Sequence, residues 1–212
     1  MRIESLMDLE NLNNETLCGD FLKTRRTFLS TATLAVGGVV MSASEVKAAT
    51  AKYDVNLETL PLNWVRSQGG DIFRYAKFID RLRLNYMSNQ QIIAVHARNK
   101  GSVYNAIPPK HLWKNIGATL KVADTLAHAL QEDVREVVSL YRSPAYNSRC
   151  PGAKPNSYHK QNVAMDLIMP SSPHKVYSLA KYYRDKRNGF QGGVGSYRSF
   201  THIDTRGYNA TW

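Results

Sequence analysis

Apolar residues recur at three- and four-residue steps from Leu112 through Ile116, Leu120, Ala123 and Leu126 to Leu130, and this spacing, opened by Pro108-Pro109, predicts a core helix. Beyond it the period shortens. Residues 134–141 (VREVVSLY) are β-branched and apolar, residues 163–169 (VAMDLIM) are strand-like, and the Pro-, Gly-, Asn- and Ser-rich stretch 143–160 between them reads as a loop. A second helix is expected over 174–187, with Val176, Leu179 and Tyr183 on its apolar stripe and a basic last turn. Residues 189–195 read as a glycine-rich turn and 197–205 (YRSFTHIDT) as the last strand. The order helix, strand, loop, strand, helix, strand implies an α+β fold, a small antiparallel sheet with helices packed on one side. The N-terminal third says less. Residues 71–97 suit a strand followed by a helix, or two strands, and a turn is expected around Asn99-Lys100-Gly101.

The first apolar run, 27–44 (TFLSTATLAVGGVVMSAS), follows Lys23, Arg25 and Arg26 and precedes Val46-Lys47-Ala48. A charged start, a weakly apolar middle and small residues at the end are the layout of an export signal. The run is too dilute for a stable membrane span. Thr24-Arg25-Arg26-Thr27-Phe28-Leu29 resembles a twin-arginine signal, which implies recognition by the twin-arginine export machinery. The expected organisation is therefore a cleaved leader over 1–48 and a single domain over 49–212, located in the periplasm or cell envelope.

Charge and cysteine content narrow the chemistry. The net charge is +11 over 212 residues, and the leader contributes none of the excess, so the surface of 49–212 favours an anionic polymer. In an exported protein that points to wall or envelope components rather than nucleic acid. Two cysteines, one of them in the leader, exclude a disulfide scaffold and a thiolate zinc ribbon. A metal site must then use His and carboxylate. Such a set lies in the last third: His159 at the end of a loop, Asp166 seven positions on in a strand, and His202 in Thr201-His202-Ile203-Asp204. If the two strands are neighbours, two imidazoles and a carboxylate converge, a donor set that suits zinc with one position open for water. Asp204 shares the strand face of His202; it is the acid best spaced to serve as general base, or else a carboxylate that orients a ligand histidine. Arg142, after the strand 134–141, is a fixed cation for a peptide carboxylate or an oxyanion.

These residues fall in a recognisable order: Tyr141-Arg142-Ser143-Pro144 with Tyr146-Asn147, Ser157-x-His159, Ala164-x-Asp166, Gly192-Gly193-Val194-Gly195 and His202-Ile203-Asp204. Together, over 112–212, they resemble the zinc D-alanyl-D-alanine metallopeptidases of bacterial cell walls, in particular their exported murein endopeptidase branch, whose zinc domain is hedgehog-like. The resemblance implies zinc on His159, Asp166 and His202, an Arg142 that meets substrate, and cleavage of peptide bonds in peptidoglycan stems or cross-links. Two departures stand out. Asn162 replaces a usual glycine in His-x-x-Gly-x-Ala-x-Asp, and asparagine is the next best residue at positive φ. Ser199 stands where several relatives place a catalytic acid, three residues before the last histidine. The alternative is a non-catalytic zinc domain that binds wall polymer or a partner protein. His96, His111, His128 and His174 read as surface or core histidines, and Trp64, Trp113 and Trp212 as packing.

Overall fold

The computed structural model describes residues 34–36 and 39–212. The expected twin-arginine segment and most of the expected leader lie outside the described residues. What is described begins with an antiparallel hairpin, β1 (Leu34–Val36) and β2 (Val39–Met41), followed by α1 (Ala43–Tyr53), within which the expected cleavage position after Ala48 falls. A capping box between Ser42 and Glu45 starts α1, and Asp54 at φ 50° ends it. Three further helices follow: α2 (Leu62–Gln68), α3 (Asp71–Asp80) and α4 (Asn89–His96), the last opened by a Ser88/Gln91 capping box.

Residues 71–97 therefore form two helices, and neither strand-containing alternative holds. In α3 the buried residues Ile72, Phe73, Tyr75, Ala76 and Ile79 follow helical spacing, and their packing overrides the strand preference of aromatic and β-branched side chains. The turn expected near Gly101 joins the short hairpin β3 (Asn99–Lys100) and β4 (Val103–Tyr104), with Gly101 at φ 60°. The core helix α5 spans Ile116–Leu130 and is preceded by a 3-10 turn over Lys110–Asn115.

The sheet follows. β5 (Glu136–Ser139) leads through the short α6 (Pro144–Asn147) and a 3-10 turn (Tyr158–Gln161) into β6 (Ala164–Ile168). Then come α7 (Pro173–Arg187), β7 (Gly193–Ser196), β8 (Thr201–Asp204) and β9 (Ala210–Thr211). Spatial order is β5-β6-β8-β7-β9, antiparallel except for the parallel pair β7 and β9. Strand thus begins at Gly193, inside the stretch read as a turn. Met165, Leu167, Val194 and Ile203 face a continuous core that also contains Ile116 and Leu120 of α5, Val176 of α7 and the apolar residues of the N-terminal helices. The fold is α+β, as the sequence pattern implies. Among the described residues no helix is long and apolar enough to cross a membrane.

Candidate metal centre

Strand register builds the site. Ser139 lies opposite Asp166, Asp166 opposite His202, and His202 opposite Gly195, so four neighbouring strands contribute one row across the sheet. Alternation turns Met165, Leu167 and Ile203 toward the core and leaves Asp166 and His202 on the other face. His159 reaches the row from the 3-10 turn, which ends at Asn162 with φ 57°. Asn162 thus holds the left-handed conformation that its place in the motif requires, and its Nδ2 donates to the Leu112 carbonyl at 2.9 Å. One ligand atom from each of His159, Asp166 and His202 lies within 4.8 Å of the others. The three residues paired by sequence reasoning are together.

Each ring nitrogen has an assignable task. His159 Nδ1 lies 2.7 Å from the Leu140 carbonyl, which can only accept, so this nitrogen carries the proton and Nε2, 3.3 Å from Asp166 Oδ2, is the one turned inward. His202 Nδ1 lies 2.7 Å from Asp166 Oδ1, while its Nε2 lies 2.9 Å from Asp204 Oδ2. A metal-binding histidine that donates its other N–H to a carbonyl or carboxylate is held in tautomer and in ring orientation. Both histidines meet that condition. With one carboxylate between two imidazoles, the donor set fits zinc.

The local charges are strongly coupled. Burial alone would raise the pKa of Asp166, but His159 and His202 outweigh it and hold the carboxyl well below the usual range. Burial pushes His159 down. It acts the same way on His202, yet hydrogen bonds to Asp166 and Asp204 prevail and raise that ring. Arg142 donates from Nη2 to Asp166 Oδ2 at 2.7 Å and from Nε to Ser139 Oγ at 2.7 Å. Its Nη1 makes no hydrogen bond among the described residues.

Asp204 occupies a different place from the one its expected role needs. Its side chain is fully buried, and Oδ1 accepts from the Gly193 and Arg206 backbone N–H groups and from Arg206 Nε, while Oδ2 meets His202 and Arg206 Nη2. Burial would raise its pKa, but Arg206, His202 and the Gly193 N–H together hold the carboxyl low. A carboxylate with every lone pair engaged and no face toward the cleft is a poor proton acceptor. This geometry argues against the general-base expectation and places Asp204 behind His202.

The site opens into a cleft of about 590 Å³ bordered by Arg142, Lys154, Tyr158, Arg206, Phe200 and Trp212 among others. Among the described residues Asp166 is its one lining side-chain carboxylate. Trp212, read from sequence as packing, is half-exposed, with its ring centroid 5.2 Å from that of His202. The remaining tryptophans are indeed core: Trp64 donates to the Asn105 carbonyl and Trp113 to the Pro108 carbonyl. Asn105 was not singled out by any motif. It donates to the Tyr141 carbonyl at 2.7 Å and accepts from the Ser143 N–H at 2.9 Å, bracketing Arg142. Arg206 and Ser139 were missed as well, though each sits within a few residues of a motif residue.

A mixed α/β domain thus gathers two histidines and an aspartate, a set that could hold a metal ion, at the base of an open cleft. The sequence profile of the Peptidase M15 family matches residues 85–204, more than half of the chain, and the chain belongs to that family of zinc metallopeptidases. Neither curated proteins nor solved structures gave a match.

Proposed function

We propose that this peptidase hydrolyses peptide bonds of peptidoglycan, in stems or cross-links, after export to the cell envelope. What supports the reading most is the cleft, where Lys154 and Arg142 border a His159/Asp166/His202 centre and, among the described residues, Asp166 is the one lining side-chain carboxylate. Peptidoglycan peptides carry carboxylates that such a cleft attracts. The net charge of +11 suits the same anionic polymer.

His159 Nε2, His202 Nδ1 and an Asp166 oxygen would hold the metal. A divalent ion such as zinc supplies Lewis acidity toward a carbonyl and lowers the pKa of water at neutral pH. Arg142 holds Asp166 with one nitrogen and offers Nη1 to a substrate carboxylate or to the oxygen that gains charge. The Leu140 carbonyl faces His159 Nδ1 and Asp204 faces His202 Nε2, so each ring's other nitrogen is the one turned toward the metal position.

A second reading has one observation behind it. Ser199 occupies the position of an expected acid, and among the described residues no side-chain carboxylate other than Asp166 lines the cleft, as suits a zinc domain that binds wall polymer without cutting it. Incubating the purified chain with peptidoglycan and zinc, followed by mass spectrometry of released fragments, separates the two. New fragments that vanish with chelator and in His159→Ala establish the peptidase on this substrate. Bound zinc and retained wall binding without fragments favour the binding domain, and absence of both removes the peptidoglycan reading.

A further inference from the structure

Behind His202 lies a constellation that joins the motif residue Asp204 to Arg206, a residue outside the motifs. Arg206 grips Asp204 through Nε at 2.7 Å and also through Nη2, a two-pronged contact in which the side chain and its own backbone N–H engage the same carboxylate. Asp204 is fully buried, and Arg206 is largely buried too, with 11% of its side chain exposed. Aromatic rings cover the guanidinium: its carbon lies 4.0 Å from the Tyr158 ring centroid, 5.1 Å from that of Trp212 and 5.6 Å from that of Tyr208. Charge–ring attraction of this kind holds an arginine against a surface.

Strand β7 is shaped around this pair. A β-carbon at Gly193 would stand 2.5 Å from Asp204 Oδ2 and 2.6 Å from Arg206 Nη2, and one at Gly195 would stand 2.5 Å from Trp212 Nε1. A side chain at either position would have to displace these groups. The glycines read from sequence as a turn therefore keep β7 bare on the site face, so that Asp204, Arg206 and Trp212 fit beneath and beside His202.

We propose that Arg206 is a positioning residue for the metal centre, acting through Asp204 to fix the tautomer and tilt of His202 so that Nδ1 faces the metal. The proposal rests on the metal-centre reading above. When the guanidinium is replaced, Asp204 Oδ1 keeps the backbone N–H groups of Gly193 and of residue 206, but both side-chain contacts are lost and Oδ2 is left with His202 Nε2 alone, which loosens the carboxylate against that ring. Arginine suits this role because its planar fork matches a carboxylate and also stacks on rings; lysine supplies the charge without the fork.

The test is zinc affinity, measured by competition with a chromophoric chelator on the full chain and on Arg206→Gln and Arg206→Lys, alongside the visible spectrum of the cobalt-substituted forms. Arg206→Gln is expected to weaken zinc about 10-fold, the usual scale for a partner that orients a ligand, and to change the cobalt bands. Arg206→Lys should recover part of the affinity; both variants should melt below the parent in chelator, because the buried Asp204 loses its guanidinium partner, so zinc affinity is compared at a temperature where every form is folded. Parental zinc affinity and spectrum in Arg206→Gln would overturn the proposal alone, whereas a parent chain that binds no zinc would overturn the metal centre with it. Should Arg206→Gln not fold, nitrogen-15 shifts of the zinc-loaded parent decide: a protonated Nε2 and a metal-bound Nδ1 on His202 support the proposal, and the reverse assignment overturns it.

Discussion

The two halves of the metal centre are held by different means. Asp166 and His202 stand on adjacent strands, and their meeting follows from the register of β6 against β8. Arg142 and His159 stand on connecting segments, and distant parts of the chain hold them there: Asn105 brackets Arg142 from the N-terminal region, Trp64 secures the Asn105 carbonyl, and Asn162 ties the His159 turn to Leu112. The strand-borne half is thus vulnerable to changes within the sheet. The loop-borne half can be moved from far away, which gives the N-terminal helices a part in the site without lining it.

The most severe break removes a ligand. His159→Ala, Asp166→Asn and His202→Ala should each weaken zinc by roughly 100-fold or more, since a site of three protein ligands cannot spare one, and titration with a competing chelator measures the loss. Next in size is an acid effect outside the site. Burial holds the His96 ring at a pKa of about 3, against 6.5 in the unfolded chain, and neither ring nitrogen has a hydrogen-bond partner among the described residues. The unfolded chain therefore takes up the proton first as pH falls. The stabilising contribution is complete above 6.5 and is lost progressively toward about 3. Urea midpoints taken in chelator at neutral and acidic pH should fall more for the parent than for His96→Phe.

Asn105→Ala sharpens the contrast between the halves. It leaves the Ser143 N–H and the Tyr141 carbonyl without their partner and should cost about 1–3 kcal/mol in denaturant unfolding. Zinc affinity should change far less than peptidase turnover, because Arg142 shifts while the strand-borne ligands stay. The smallest effect belongs to Asn162. Asn162→Ala places a β-carbon without a compensating hydrogen bond at φ 57° and should lower stability by about 1–2 kcal/mol, while Asn162→Gly relieves the conformational cost and should lie nearer the parent in melting temperature.

The same division explains what could be read in advance. His202-Ile203-Asp204 and Ala164-x-Asp166 carry their geometry locally, because strand alternation fixes which side chains share a face, and the α+β class followed from the same short-range patterns. The supports of the other half leave no such trace. Asn105 and Trp64 act across long sequence separations, with no period or motif to mark them. Residues 71–97 were misread for a related reason: Tyr75 and Phe73 favour strands by local preference, and only packing against the rest of the core makes them helical. Asp204 was placed on the right strand face, but spacing along a strand cannot show that Arg206 and the Gly193 N–H have already taken its oxygens.

The most direct test is a crystal structure of the zinc-loaded chain with anomalous data at the zinc edge. The account predicts one ion bound by His159 Nε2, His202 Nδ1 and an Asp166 oxygen, with His202 Nε2 still donating to Asp204 and Arg206 still gripping that carboxylate. An ion on His202 Nε2, an ion elsewhere, or no ion at this cluster would contradict it.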